Sequence, residues 1–183
     1  LVSAWQEHRG IRDVMVFLQG VGVGTAYAAR IFKAYGQGAT SIVRDTPYRL
    51  ALDIFGIGFQ TADKIAMNMG IATDDPHRVE AGVLYVLERL SEEGHTCFPS
   101  DQLIIRARDI LHVDSEPVEA AIKAQREVGR LIVEPILGET MVYLERLHEQ
   151  EVCVAEGLKR LAGAPSVLAG VDAEAAVDWA QER

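Results

Sequence analysis

Residues Phe55–Ile65 read FGIGFQTADKI, two glycines around one apolar residue just ahead of a helical pattern. Glycine tolerates positive φ and lets a foreign group approach the backbone closely. The N–H groups that open a helix have no partner within it, and the helix dipole favours an anion beside them. A Gly-x-Gly turn feeding a helix is therefore a candidate anion site. This one has a twin. The run Gly22-Val23-Gly24 through Ile31 lies over Gly56-Ile57-Gly58 through Ile65 at a constant offset of 34 residues. Ala28 then aligns with Ala62, Arg30 with Lys64, Leu18 with Leu52, and Gly36 with Gly70. Self-similarity of this kind marks a duplicated supersecondary unit.

Each copy reads as helix, tight turn, helix. In the first, Val14, Phe17, Leu18 and Val21 form one apolar face, and Ala28, Ile31, Phe32 and Tyr35 form another at helical spacing. In the second, Leu50, Leu52, Ile54 and Phe55 lead in, and Ala62, Ile65, Ala66 and Met69 line the following helix. Gly36 and Gly70 stop the second helix of each copy. The apolar residue between the glycines is expected to face inward, and small Ala28 and Ala62 let helices cross closely.

Other readings of the glycines fare worse. A dinucleotide fingerprint, Gly-x-Gly-x-x-Gly, fails because Tyr27 stands at the third glycine counted from Gly22. No alternating strand–helix pattern follows to build a parallel sheet. A P-loop is excluded, since Gly-Lys-Ser/Thr occurs nowhere. Glycines that only form turns remain the bland alternative, weakened by the duplication and its matched basic residue.

These residues resemble the helix-hairpin-helix family of DNA-binding motifs, whose pattern is apolar-x-x-Gly-apolar-Gly-x-x-x-Ala-x-x-apolar. Both copies fit it, which gives the tandem arrangement that packs as one unit. The resemblance implies that hairpin amides bind DNA phosphates without reading bases, assisted by a basic residue late in the motif. The implied phosphate-binding set is Gly22, Val23, Gly24, Thr25 and Arg30 in the first copy. In the second it is Gly56, Ile57, Gly58, Gln60, Thr61 and Lys64. Gly20, an extra glycine before Val21, departs from the pattern and is expected to loosen the first hairpin.

Beyond Asp74-Asp75-Pro76 the texture changes. A helix is expected over 78–93, with Val79, Val83, Val86, Leu87 and Leu90 inward and Gly94 as its cap. A short strand at Thr96-Cys97-Phe98 follows, then a helix from Ser100 to Leu111 with Leu103, Ile104 and Ile110 inward. Asp114-Ser115-Glu116-Pro117 carries helix-start signals, and that helix runs to Val128 before Gly129. Residues 130–135 and 140–143 read as strands around a turn at Gly138-Glu139. Helix, strand, helix, helix, hairpin is the order of a winged helix. Its third helix would offer Lys123, Gln125 and Arg126 to DNA, with Arg130 at the wing. Glu116, Glu119 and Glu127 on the same helix oppose that. A further helix spans 144–161 with Leu147, Val154, Leu158 and Leu161 on one side. After Gly163-Ala164-Pro165 comes a linker, then a short helix near 173–181 carrying Trp179.

The expected fold is thus mainly α: a tandem helix-hairpin-helix domain over 1–75, a winged-helix-like domain with a small β-hairpin over 76–145, and a helix and linker over 146–183. The net charge of −9 argues against indiscriminate polyanion binding. Its distribution is uneven. Residues 1–80 hold eight Lys/Arg and eight Asp/Glu, leaving ten against nineteen for the remainder, so an anion site belongs in the first part. Five scattered histidines show no metal-ligand spacing and no nucleophile is flanked by a base, so no catalytic or metal residue is assigned. Two distant cysteines suit a reducing, cytoplasmic setting, and no apolar run reaches membrane-spanning length. The start at Leu1-Val2-Ser3-Ala4-Trp5 reads as the interior of a longer chain.

The whole arrangement resembles the N-terminal region of RecD-like superfamily 1 DNA helicases. The tandem hairpins, the winged-helix order, the segment Val142-Tyr143-Leu144-Glu145-Arg146-Leu147 and the tail Ala175–Trp179 carry that resemblance. It implies a parent that unwinds DNA 5′ to 3′ in DNA repair and recombination, using ATP and Mg in a motor whose motifs are not among these residues. No cofactor is assigned to these residues themselves. The implied partners are the DNA backbone and the parent's own C-terminal helicase domain, without a membrane. The alternative is a protein-docking scaffold of a DNA-repair complex that makes no direct DNA contact.

Overall fold

A computed structural model describes residues 2–164 and 172–181, with side chains from Ile11 onward except Ala173. The chain divides into two compact units, Leu1–Glu145 and Arg146–Arg183.

The first unit opens with α1 (Val2–Gly20), α2 (Thr25–Tyr35), α3 (Ala39–Asp45), α4 (Leu50–Asp53) and α5 (Phe59–Asn68), with 3-10 turns at Gly36–Gly38 and Pro47–Arg49. Both copies of the repeat feed one core. Val14, Leu18, Val23, Ala28 and Ile31 of the first copy join Leu50, Ile54, Ile57, Ala62 and Ile65 of the second. Val23 and Ile57, the apolar residues between the glycines, are 4% and 3% exposed. Burying each contributes about 1.5–3 kcal/mol and ties the turn to the helices behind it. Ala28 and Ala62 are fully buried, as close helix crossing requires.

The lead-in helices are less alike than the sequence suggests. Leu18 is buried, but Leu52 and Phe55 are 74% and 93% exposed. The reason is that α4 stops at Asp53, and extended Ile54 (φ −115°, ψ 107°) turns into the core in their place. The buried apolar pair therefore slides from Val14/Leu18 to Leu50/Ile54, an offset of 36 against 34 for the glycines. Two further residues separate the last buried side chain of the first lead-in helix from its turn, and Gly20 is among them.

Next come α6 (Pro76–Glu92), β1 (Cys97–Pro99), α7 (Ser100–Leu111), α8 (Ser115–Glu127), β2 (Leu131–Ile136) and β3 (Glu139–Leu144). Asp75 caps α6, accepting from the amides of His77 (3.0 Å) and Arg78 (3.2 Å). The expected helix, strand, helix, helix, hairpin order is present, and β1 joins the hairpin to give an antiparallel sheet ordered β1-β3-β2. Phe98 pairs with Val142, and Val133 pairs with Val142 from the other side. The hairpin turn is Leu137-Gly138, both with positive φ (51° and 90°), one residue earlier than the expected Gly138-Glu139. On α7 the inward face is Leu103, Ala107 and Leu111, whereas Ile110 is 46% exposed. Ala107 completes the four-residue spacing from Leu103 to Leu111.

The two parts of this unit are joined by a buried ion pair. Arg78 of α6 donates Nε and Nη2 to the two carboxylate oxygens of Asp63 on α5 (2.8 and 3.0 Å). Its Nη1 reaches the carbonyls of Thr73 (2.6 Å) and Leu111 (3.0 Å). Tyr48 donates to Asp63 (2.8 Å). Phe59 stacks between Tyr48 (5.8 Å) and Tyr85 of α6 (4.9 Å).

In the second unit, α9 (Glu145–Gly163) has no buried residue, and α10 spans Ala173–Gln181. The expected linker falls at 165–171, outside the described residues. No helix among the described residues is long and apolar enough to cross a membrane.

Candidate nucleic-acid interface

The two glycines of each turn play different parts. Gly22 and Gly56 have φ of +86° and +87°, which the reversal of the chain demands and L side chains resist. Both are also crowded by a side chain of the other copy. A Cβ on Gly22 would lie 2.6 Å from Asn68 Nδ2, and one on Gly56 would lie 3.1 Å from Arg30 Nη1. Gly24 and Gly58 need no glycine for the fold. Their φ values are −64° and −93°, and a Cβ on either would meet nothing within 4 Å. They occupy the N-cap positions of α2 and α5, where Ser, Thr, Asp or Asn would satisfy the free amides and stabilise the helix. Glycine at both caps leaves those amides open to solvent.

Several turn amides are already engaged. Gly22 N donates to Gln19 O (3.0 Å) and Val23 N to Leu18 O (2.9 Å). Ile57 N donates to Ile54 O (3.0 Å) and Thr61 N to Gly58 O (3.1 Å). Val23 and Ile57 thus hold the hairpins from within, through side chain and amide alike, and the amide of Thr61 offers no donor. Among the described residues, the amides of Gly24, Thr25 and Ala26, and of Gly58, Phe59 and Gln60, meet no protein acceptor. Each helix start thus presents three consecutive donors, with Thr25 and Gln60 exposed beside them.

The basic residues separate as well. Lys64 is exposed on α5 and, among the described residues, makes no ion pair. Arg30 lies across the other copy: its Nη1 donates to Phe55 O (2.9 Å), and its guanidinium sits 5.7 Å from the Tyr27 ring centre. Tyr27 donates to Gly56 O (2.9 Å). In return, Asn68 of α5 donates Nδ2 to Val21 O (3.1 Å) in the first turn. Val21 and Phe55 are equivalent positions of the repeat, so each copy holds the same turn carbonyl of the other. Tyr27 and Asn68 were not singled out from sequence. Asn68 aligns with Ala34, so the repeat alignment carries no signal for it.

Away from the turns, Lys123 and Arg126 are exposed on α8 and Arg130 is exposed just before β2. Gln125 is not among the surface residues. It is 4% exposed, and its Nε2 donates to Glu80 on α6 (2.8 Å), so it packs α8 inward. Beside the second turn, Tyr35 donates to Asp53 (2.8 Å). Burial first, then that bond and the charge of Asp53, push the Tyr35 phenol up to about 12. Burial, followed by Asp63, pushes the Tyr48 phenol up as well. Among the described residues no group of three His, Cys, Asp or Glu side chains converges as a metal site.

Two interlocked helix-turn-helix copies, each presenting open amides behind a Gly-x-Gly turn, define a tandem helix-hairpin-helix protein. Residues 7–97 match the family described as the ATP-dependent RecD2 DNA helicase HHH domain. Over 190 aligned residues, 98% of the chain, it is 28% identical to the ATP-dependent RecD2 DNA helicase of Deinococcus radiodurans. It spans 26% of that relative's length. Residues 7–97 are thus those of a RecD2-type helix-hairpin-helix domain.

Proposed function

We propose that residues 10–72 hold the DNA backbone without base preference, through the open amides at Gly24–Ala26 and Gly58–Gln60. The observation that carries this is glycine at two equivalent helix N-caps where neither φ nor packing calls for it. A phosphate oxygen supplies what a capping side chain otherwise would, and the helix dipole adds to its attraction. Lys64 adds a positive charge on the same helix. Arg30 serves mainly to hold the opposite turn, through its bond to the Phe55 carbonyl. Lys123, Arg126 and Arg130 form a possible second DNA contact, weakened by the acidic residues of α8.

On this reading the chain is the N-terminal, DNA-gripping part of a longer ATP-dependent helicase that unwinds DNA 5′ to 3′ in repair and recombination in the cytoplasm. ATP and Mg belong to its motor. The chain carries no Gly-Lys-Ser/Thr phosphate loop to hold them, so no step here runs through ATP. The motor domain of the same protein is the second partner.

Fluorescence anisotropy with oligonucleotides of unrelated sequence tests the reading. Affinity should be equal across sequences and fall with salt, log K against log [salt] having a slope of about −0.9 per phosphate held on duplex DNA. A protein-docking scaffold predicts no DNA affinity even at low salt, and that result would reject the proposal.

A further inference from the structure

We propose that Phe55 stacks on an unpaired nucleobase of the strand held by the second hairpin, so that this hairpin selects single-stranded over duplex DNA. The inference rests on the phosphate-binding reading above. Phe55 is 93% exposed, the most exposed aromatic side chain among the described residues. It directly precedes Gly56, three residues from the first open amide at Gly58, so the backbone between them spans at most about 10 Å.

Its outward setting is fixed. The carbonyls of Phe55 and Gly56 are held by Arg30 (2.9 Å) and Tyr27 (2.9 Å), so the backbone on the C-terminal side of Phe55 cannot rotate freely. Ile54, on its other side, is anchored in the core. The backbone that carries the ring is therefore held in place, while the ring itself is exposed. The equivalent residue in the first copy is Val21, which is partly buried against the core. Among the described residues, only the second hairpin carries an exposed ring at this position, so the two copies are not interchangeable.

The occupant follows from chemistry. A strand whose phosphate rests on Gly58–Gln60 carries a sugar and a base past the turn. Every base offers a π face to an aromatic ring, whatever its identity. In a duplex both faces are covered by neighbouring pairs, but in a single strand one can be splayed out. The ring thus adds strand-state selectivity without sequence selectivity.

The full chain is titrated with a labelled oligothymidylate, and separately with relaxed circular plasmid as competitor, which has neither ends nor unpaired bases. Phe55→Ala should weaken oligothymidylate binding about 5- to 150-fold, the range of one base–aromatic stack. Plasmid competition should stay within about twofold, since the phosphate contacts remain. Phe55→Trp should restore single-strand affinity. An exposed ring leaves folding unaffected, so melting curves should coincide. Equal weakening on both DNAs, or no weakening on either, overturns the stacking role while the phosphate reading stands; no change is the result expected if the rest of the longer protein covers Phe55. If the unaltered chain binds neither DNA, the phosphate reading fails and this inference with it.

Discussion

Replacing Arg78 tests how the two halves of residues 1–145 are joined. Its guanidinium makes four short hydrogen bonds, two to Asp63 and two to backbone carbonyls, with side-chain exposures of 7% for Arg78 and 17% for Asp63. Arg78→Ala removes them together and leaves the Asp63 carboxylate largely buried, with only the Tyr48 hydroxyl on it. Breaking a buried pair from one side costs about 3–5 kcal/mol, because an uncompensated charge remains in place. In a unit of this size that lowers Tm by roughly 6–20 °C. The pair is not expected to be strongly stabilising against an apolar substitute: Arg78→Met with Asp63→Leu should recover most of the loss. Urea unfolding of the four proteins of this double-mutant cycle gives the coupling directly. A loss below about 1 kcal/mol for Arg78→Ala, typical of a surface pair, would refute the claim that this contact links the halves.

Three further outcomes are expected. Lys64→Ala should reduce the magnitude of the salt slope of DNA binding by about one with unchanged Tm, whereas Arg30→Ala should lower Tm as well, because it releases the carbonyl of Phe55. Stability should fall as pH rises from 10 to about 12: the folded state keeps the Tyr35 phenol protonated above its unfolded value, so its contribution is complete below pH 10 and lost through about 12. Phenolate absorbance and Tyr35→Phe check this. Leu137→Asn should raise stability by about 1 kcal/mol, since Leu137 is fully exposed with φ +51° at a hairpin position that suits Asn; thermal melts read the gain.

The duplicated glycines made the paired hairpins legible in the sequence, because turn geometry and an inward apolar residue leave local marks. The helix stops at Gly94 and Gly129 were legible for the same reason, whereas the helix expected from Arg78 begins at Pro76 behind the Asp75 cap. What escaped was long-range. The exchange of turn carbonyls joins Arg30 to Phe55 and Asn68 to Val21, positions unequal in the repeat, so aligning the copies conceals it. The Asp63–Arg78 pair spans the break at Asp74-Asp75-Pro76, where composition suggested a boundary. That Leu52 and Phe55 of the lead-in face outward left no local mark, since nothing signals α4 ending at Asp53. Gln125 was placed on the DNA side beside Lys123 and Arg126, but Glu80 on α6 draws it inward. Nor could the sequence separate the glycines that shape the turns, Gly22 and Gly56, from those that leave the caps open, Gly24 and Gly58; that distinction needs φ and the space around each Cα. It also narrows the useful substitutions, since changing Gly56 strains the turn whereas changing Gly58 does not.

The account therefore converges on Gly58→Asp, alone and with Gly24→Asp. With no steric obstacle and an extended backbone at both caps, the new carboxylate accepts from the open amides and takes the place assigned to the DNA phosphate. Each substitution should hold or raise stability, by about 0.3–1 kcal/mol from the cap and the helix dipole. DNA affinity should meanwhile fall sharply, most in the double variant. Melting curves and DNA titrations of the same samples make the measurement. A more stable protein that no longer binds DNA is the predicted result; a more stable protein that binds as before would contradict the central claim.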